Sequence, residues 1–184
     1  MAEARDGSLQ RNMQNHFELF GLEPGYALEA ERLERAYREI QARIHPDRFA
    51  HAGDADRRAS MQWTTRVNEA YRTLKSPVQR AKHLLELNGV DLGLETNTAM
   101  PRDFLDRQLE LREALEAAQA EKDLGALRRL RAALRSDRHE LQKAVGEQLD
   151  SRRDYPAAAQ LVRKLVFLDR FDAEIDAALA TMEE

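Results

Sequence analysis

The chain has 184 residues, of which 42% are hydrophobic and 34% charged, and its net charge at pH 7 is -4. This composition excludes a fully disordered chain. With five Pro and eight Gly, the chain also has too little of either residue for a collagen-like or low-complexity protein. Because Cys is absent, the chain cannot form a disulfide, use a thiolate nucleophile or ligate zinc or an iron–sulfur cluster through cysteine. The length suits one ordinary domain or two small ones.

The start of the sequence and its hydropathy indicate a cytoplasmic protein. Residues 1–13 lack the apolar segment of a secretory signal and include Glu3 and Asp6, which transit peptides avoid. No apolar run approaches the roughly twenty residues of a membrane span, so we predict no membrane contact. We expect residues 1–13 to be a disordered extension, with the true start at Met1 or at Met13.

Charge is divided unevenly along the chain. Residues 1–82 hold 14 Lys and Arg against 12 Asp and Glu, whereas residues 83–184 hold 15 against 21. A mildly basic front and an acidic back suggest two modules with different partners, and they do not favour nucleic acid.

Helix-forming residues dominate and strand patterns are missing, so the fold is predicted to be all-α. The front half is predicted to hold four helices, over 15–20, from Leu28 to Arg43, from Asp54 to about Leu74, and from Pro77 to Asn88. The two long helices carry apolar stripes and are predicted to pack as an antiparallel hairpin. The stripes comprise Leu33, Ala36, Tyr37, Ile40 and Ile44 on one helix and Ala59, Trp63, Val67, Ala70, Tyr71 and Leu74 on the other.

A break in the helical pattern over 89–102 marks a domain boundary, because this stretch is rich in Gly, Asn, Thr and Pro. We predict a first domain over 14–88, a linker over 89–96 and a second domain over 97–184. The second domain is predicted to contain helices over Asp103–Ala120, Asp123–Asp150 and Pro156–Met182. Short connections between three helices favour an antiparallel bundle.

The tripeptide His45-Pro46-Asp47 occupies the predicted loop of the hairpin, after a helix whose outer face bears arginines. This front module resembles the J domain, the co-chaperone module that stimulates ATP hydrolysis by DnaK-class chaperones. The resemblance extends to the segment HFELFGL at 16–22 and the segment VNEAYRTL at 67–74.

The resemblance implies a chaperone-binding surface around the tripeptide. Asp47 would accept charge-assisted hydrogen bonds from a chaperone arginine, and Pro46 would reduce the entropy lost on docking. A positive face would steer the module towards an acidic chaperone surface. The predicted surface consists of His45, Pro46, Asp47, Arg32, Arg35, Arg38, Arg43 and Arg48. The alternative is that Pro46 only ends a helix and the arginines pair with Glu31, Glu34 and Glu39.

The acidic back module shows apolar residues outside its predicted core. Its first helix has a core stripe of Phe104, Leu111, Leu115 and Ala118, with Leu105 and Leu109 to one side. Its last helix has a core face of Leu161, Leu165, Leu168, Ile175 and Leu179, with Phe167 exposed outside that face. An apolar patch rimmed by Glu110 and Glu113 is typical of a protein-binding site, but a helix that touches two others also needs a wide apolar arc.

The chain from Met13 onward is similar to the HscB-type co-chaperones of iron–sulfur cluster assembly, including FL at 104–105, QLELRE at 108–113, RKL at 163–165 and FLD at 167–169. This resemblance implies two partners, an HscA-type DnaK-class chaperone and an IscU-type scaffold protein on which clusters are built. The implied scaffold-binding residues are Leu105, Leu109, Glu110, Glu113 and Phe167. Asp106 and Ala117 depart from the bacterial pattern, and the lack of a Cys-rich zinc element favours the bacterial branch.

No motif predicts catalysis, a metal site or a cofactor, so we expect a non-enzymatic, monomeric adaptor. A basic stripe of Arg128, Arg131, Arg135 and Arg138 is interpreted as a solvated face, because no stacking aromatics accompany it as they do in RNA-binding surfaces. Two other functions stay open, a J-domain co-chaperone for a different client and a purely structural helical adaptor.

Overall fold

The computed structural model describes residues 15–45, 47, 53–93 and 100–183. These residues divide into two compact units, of which the first ends at Asn88 and the second begins at Gly89. Every regular element in the described ranges is helical, which confirms the all-α prediction. The predicted extension over 1–13 and residues 94–96 of the predicted linker lie outside the described residues.

The described part of the first unit contains four α-helices, each starting and ending within two residues of its predicted limits. They are α1 (His16–Leu19), α2 (Ala30–Ile44), α3 (Asp54–Lys75) and α4 (Pro77–Leu87). Local capping explains two of these limits. The Asn15 side chain accepts a hydrogen bond from the Phe17 amide at 3.0 Å, and Ser76 caps α4 by accepting one from the Gln79 amide.

The core of the first unit forms where α1, α3 and α4 meet, around the fully buried Phe17, Val67, Leu74 and Leu85. The predicted stripe of α3 is correct in its second half and wrong in its first half. Ala59 and Trp63 are exposed, and Ser60 is buried instead.

The need of the Ile44 carbonyl for hydrogen-bond donors explains that error. The buried face of α3 begins with Ser60 and Thr64 because their hydroxyl groups bond the carbonyl at the end of α2. A buried carbonyl without a donor would be costly, so hydroxyl side chains take positions that a purely apolar stripe would give to Ala59 and Trp63.

The second unit is a three-helix bundle. It consists of α5 (Arg102–Ala120), α6 (Leu124–Gly146), which continues into a π-helical segment (Glu147–Arg152), and α7 (Tyr155–Glu183). The buried residues of α5 are the four predicted ones, Phe104, Leu111, Leu115 and Ala118. The beginning of the predicted linker packs within this unit, because Leu92 is buried and its carbonyl accepts a hydrogen bond from Arg163 Nε at 2.8 Å.

Arginines of α6 are paired with carboxylates of α7, so the interpretation of their stripe as a solvated face is wrong in part. Arg138 bonds Asp169 at 3.0 Å and also bonds Asp172, whose side chain is only 12% exposed. Arg131 bonds Asp176 at 2.6 Å in a more exposed position. These interhelical pairs hold α6 against α7 and neutralise charge that could otherwise contact RNA.

A stacked pair of histidines connects α1 to α4 in the first unit. His83 Nε2 accepts a hydrogen bond from the His16 amide at 3.2 Å, and the two rings stack with centroids 4.3 Å apart. Burial lowers the pKa of His83 to about 4, with a smaller contribution from the neighbouring His16. The neutral ring is therefore the form that fits this site, even though the Glu86 carboxylate lies 3.9 Å from its Nδ1.

None of the helices in the described ranges is long and apolar enough to cross a membrane.

We predict that the first unit loses stability as the pH falls from 7.5 to 5. The unfolded chain takes up a proton on His83 near its ordinary pKa, whereas the folded chain does so only near 4, so acid favours unfolding within this window. The expected loss is about 2 kcal/mol. Urea unfolding followed by the fluorescence of Trp63, the single tryptophan, reports on this unit.

The control for this prediction is His83→Gln, whose amide oxygen can still accept the His16 hydrogen bond but does not titrate. The variant should lose clearly less stability between the same two pH values. An equal loss in both proteins would show that other groups set the pH dependence.

In the second unit, Arg138→Met should lower the free energy of unfolding by about 3 kcal/mol, because it leaves the buried Asp172 without its counter-charge. Arg131→Met, which removes a more exposed pair, should cost less than about 1 kcal/mol. Urea unfolding followed by circular dichroism measures both, and equal costs would contradict a special role for Arg138.

Candidate functional site

The carbonyl of Ile44 fixes the point where α2 ends and the His-Pro-Asp loop begins. It accepts hydrogen bonds from the Ser60 hydroxyl at 2.7 Å and the Thr64 hydroxyl at 3.5 Å, both on α3. The residue that follows is His45, whose extended backbone (φ -56°, ψ 131°) takes the chain out of the helix. The start of the loop is therefore anchored to the opposite helix of the hairpin.

One turn further from the loop, a polar network joins the same two helices. Asn68 Oδ1 accepts hydrogen bonds from the Tyr37 hydroxyl at 2.9 Å and from Gln41 Nε2 at 2.5 Å. The rings of Tyr37 and Tyr71 stack with centroids 4.1 Å apart. These contacts resist sliding of α2 along α3, which would displace the loop.

His45 and Asp47 contact each other and are otherwise open to solvent. The Asp47 amide donates a hydrogen bond to His45 Nδ1 at 3.3 Å, and one carboxylate oxygen lies 3.4 Å from the same nitrogen. The Asp47 side chain is 90% exposed, so its carboxylate can accept hydrogen bonds from a partner. Pro46 and Arg48, also predicted for this surface, lie outside the described residues.

The four described arginines of the predicted positive face, Arg32, Arg35, Arg38 and Arg43, are all exposed along α2. Two of them form pairs within the helix. Arg38 bonds Glu34 at 2.6 Å, which lowers the pKa of Glu34, and Arg35 lies 3.8 Å from Glu31. These are two of the pairs that the alternative interpretation expects, but exposed pairs of this kind contribute little to stability, so the carboxylates of a partner can replace the glutamates.

The predicted apolar patch on the second unit is exposed at its two leucines. Leu105 is 46% exposed and Leu109 is 59% exposed, and they follow each other on one side of α5. Glu110 and Glu113 are exposed on the same helix. Two exposed leucines and two exposed carboxylates therefore lie within nine residues of one helix, and their role as a binding patch stays a prediction.

Phe167 is half-buried, so its side chain is less exposed than the sequence predicts. Its ring packs edge-to-face against Phe104 at 5.6 Å and stacks on the buried Phe171 at 5.8 Å. The first contact places Phe167 beside the beginning of α5, where Leu105 is the next residue. Its remaining surface therefore lies beside the beginning of α5, and two aromatic contacts hold its ring in position.

Sequence reasoning missed Arg107, which lies between the two leucines in the chain. Arg107 bonds Glu110 at 3.1 Å and reaches Asp137 of α6 at 3.5 Å, and these bonds raise its pKa. Arg107 therefore orients one of the two predicted carboxylates, whereas Glu113 has no ion pair among the described residues. The spacing of Arg107 and Glu110, three residues apart on a helix, could have indicated the pair.

Within the described ranges, no three His, Asp or Glu side chains lie close enough together to hold a metal ion.

Comparison with known proteins supports the relationship that the two sites suggest. A family model described as the HSCB C-terminal oligomerisation domain matches residues 100–176. A co-chaperone protein HscB homolog from Azoarcus sp. is 45% identical over 170 residues, which cover 92% of this chain and 96% of the relative. A Burkholderia thailandensis homolog is 49% identical over 169 residues, with the same two coverages. The chain belongs to the HscB co-chaperone family.

Solved structures of HscB proteins have the same fold. Chaperone HscB from Vibrio cholerae is 34% identical, with a TM-score of 0.80 over 91% of this chain and 99% of that one. Human co-chaperone protein HscB has a TM-score of 0.83 at 24% identity, over 89% of this chain and 81% of that one, and supports the fold alone.

Membership in the HscB family confirms the predicted architecture, a J domain followed by a three-helix bundle. It makes the chain a co-chaperone of iron–sulfur cluster assembly and implies a partner among the Hsp70-type chaperones. The roles of the individual residues at the two sites stay predictions.

Proposed function

We propose that this chain is an adaptor that stimulates ATP hydrolysis by an HscA-type, DnaK-class chaperone and delivers an IscU-type scaffold protein to it. The observation that supports this proposal is the presence of two different exposed surfaces on two compact units. One is the tip formed by His45 and Asp47, and the other is the patch around Leu105 and Leu109. The chain acts in the cytoplasm as a monomer and catalyses no step itself.

The chaperone contact is electrostatic in this proposal. Arginines along α2 attract the acidic surface of the chaperone and raise the association rate. Asp47 then accepts charge-assisted hydrogen bonds from a chaperone arginine, which are shorter and stronger than neutral ones. Because the loop starts at an anchored carbonyl, little conformational entropy is lost when these bonds form.

The scaffold contact is mainly apolar. Leu105, Leu109 and the accessible part of Phe167 are removed from water, while Glu110 and Glu113 pair with basic groups at the rim. Phe167 is already packed between two other aromatic rings, so little side-chain entropy is lost when it is covered. Residues of this kind often carry most of the binding free energy of an interface.

Linking the two contacts in one chain couples them. A scaffold held on the second unit has a high effective concentration at the chaperone to which the J domain is bound. ATP hydrolysis then converts this encounter into tight binding of the scaffold by the chaperone. The expected consequence is that scaffold and co-chaperone together accelerate hydrolysis by more than the product of their separate effects.

Asp47→Asn should abolish stimulation of the chaperone ATPase while helicity and scaffold affinity stay unchanged. The amide keeps the size of the side chain but loses its charge, and the side chain makes no contact in the core. Steady-state ATPase rates, circular dichroism and calorimetric titration with scaffold measure the three properties. Loss of scaffold binding as well would contradict the division of labour between the two units.

Leu109→Ala should weaken scaffold binding about tenfold and leave basal ATPase stimulation unchanged, because the side chain is mostly exposed and its truncation leaves the bundle core intact. Adding Phe167→Ala should weaken binding further, at some cost in stability. The matched control is Gln119→Ala, an exposed residue at the other end of α5. Equal calorimetric affinities for wild type and Leu109→Ala would assign the patch to another client or to no partner.

A further inference from the structure

Trp63 is a large exposed apolar side chain in the J domain that the proposed contacts do not use. It is 47% exposed, although tryptophan is usually well covered in folded proteins. Single exposed leucines are common on protein surfaces and do not indicate a binding site. A half-exposed tryptophan, by contrast, leaves a considerable apolar area in water.

The exposure of Trp63 follows from where the core ends along α3. Trp63 and the fully buried Ala70 are seven residues apart and therefore lie on the same side of the helix. α1 packs against α3, whose fully buried residues are Val67, Ala70 and Leu74. One turn earlier along α3, the side of the helix that carries Trp63 is no longer covered.

Trp63 lies next to the residues of α3 that anchor the start of the proposed chaperone-binding loop. Thr64 is its neighbour in the chain and Ser60 is one turn away, and both donate hydrogen bonds to the carbonyl of Ile44. Since His45 follows Ile44, Trp63 is about one helical turn from the residues that anchor the loop.

The ring of Trp63 is also held in place. The guanidinium of Arg66 lies over it, 5.5 Å from the ring centroid, in a cation–π contact. Arg66 is itself half-buried, so the pair presents an apolar ring beside a positive charge. Trp and Arg are the residue types that most often dominate the binding free energy of protein interfaces.

We infer that Trp63, supported by Arg66, is a second contact point for the DnaK-class chaperone, where it enters an apolar recess bordered by carboxylates. This inference rests on the proposed function, since it assigns a further residue to the same docking event. Continuity with the His45 and Asp47 tip, together with the positive charge of Arg66, favours this occupant over the scaffold. In this arrangement Asp47 triggers hydrolysis and Trp63 adds affinity.

The test is single-turnover ATP hydrolysis by the chaperone at increasing concentrations of co-chaperone. Trp63→Ala should raise the concentration needed for half-maximal stimulation about tenfold, while the maximal rate stays the same. Met61→Ala is the matched control, because Met61 is exposed on α3 but points about 200° around the axis from Trp63. It should change the half-maximal concentration less than twofold, and circular dichroism should show both variants folded.

A change of less than twofold in Trp63→Ala, or an equal change in Met61→Ala, would overturn the inference. Neither result affects the proposed function as long as the wild type stimulates hydrolysis and Asp47→Asn does not. Absence of stimulation by the wild type would instead refute the proposed function.

A second readout does not depend on truncating the side chain. Because Trp63 is the single tryptophan, a chain labelled with 5-fluorotryptophan gives one fluorine resonance. This resonance should shift or broaden when ATP-bound chaperone is added and should stay unchanged with scaffold alone. A response to scaffold alone, or to raising the concentration of the chain itself, would assign the surface to the scaffold or to a second copy and overturn the inference.

Discussion

The hydrogen bonds that the Ile44 carbonyl accepts from Ser60 and Thr64 are the constraint on which the J domain depends. The last carbonyls of a helix have no partners within the helix, and here one of them is satisfied by the facing helix instead of by water. This arrangement gives the hairpin a fixed register and fixes the point at which the chain leaves α2. The exposed His45 and Asp47 therefore extend from an anchored position, which would lower the entropy lost in the proposed docking.

In the second unit, one helix serves two surfaces. α5 buries Phe104 in the bundle and leaves Leu105 and Leu109 in water, so apolar residues next to each other in the chain have different environments. The ion pairs between Arg138 and the carboxylates of α7 contribute to holding the bundle in one arrangement. The buried core of the bundle does not include Leu105 and Leu109, so these apolar side chains can stay exposed.

The sequence was sufficient to predict the helix order, the J domain and the buried stripe of α5, because each depends on periodicity, capping residues or a local motif. It was insufficient at two kinds of position. Hydropathy assigned Trp63 to the core and overlooked Ser60, since the pattern does not show that a facing carbonyl needs a donor. The pattern also predicted an exposed Phe167, because its contacts with Phe104 and Phe171 depend on how the helices pack in three dimensions.

Coupling between the two units is the central claim, and single-turnover ATP hydrolysis by the chaperone at a subsaturating concentration of this chain tests it most directly. The rate is measured with this chain alone, with scaffold alone and with both. The account predicts that the combined acceleration exceeds the product of the two separate ones. The chain could stimulate hydrolysis and bind scaffold, yet give a combined acceleration that only equals the product of the two separate ones. In that case the units work independently and the adaptor mechanism is wrong.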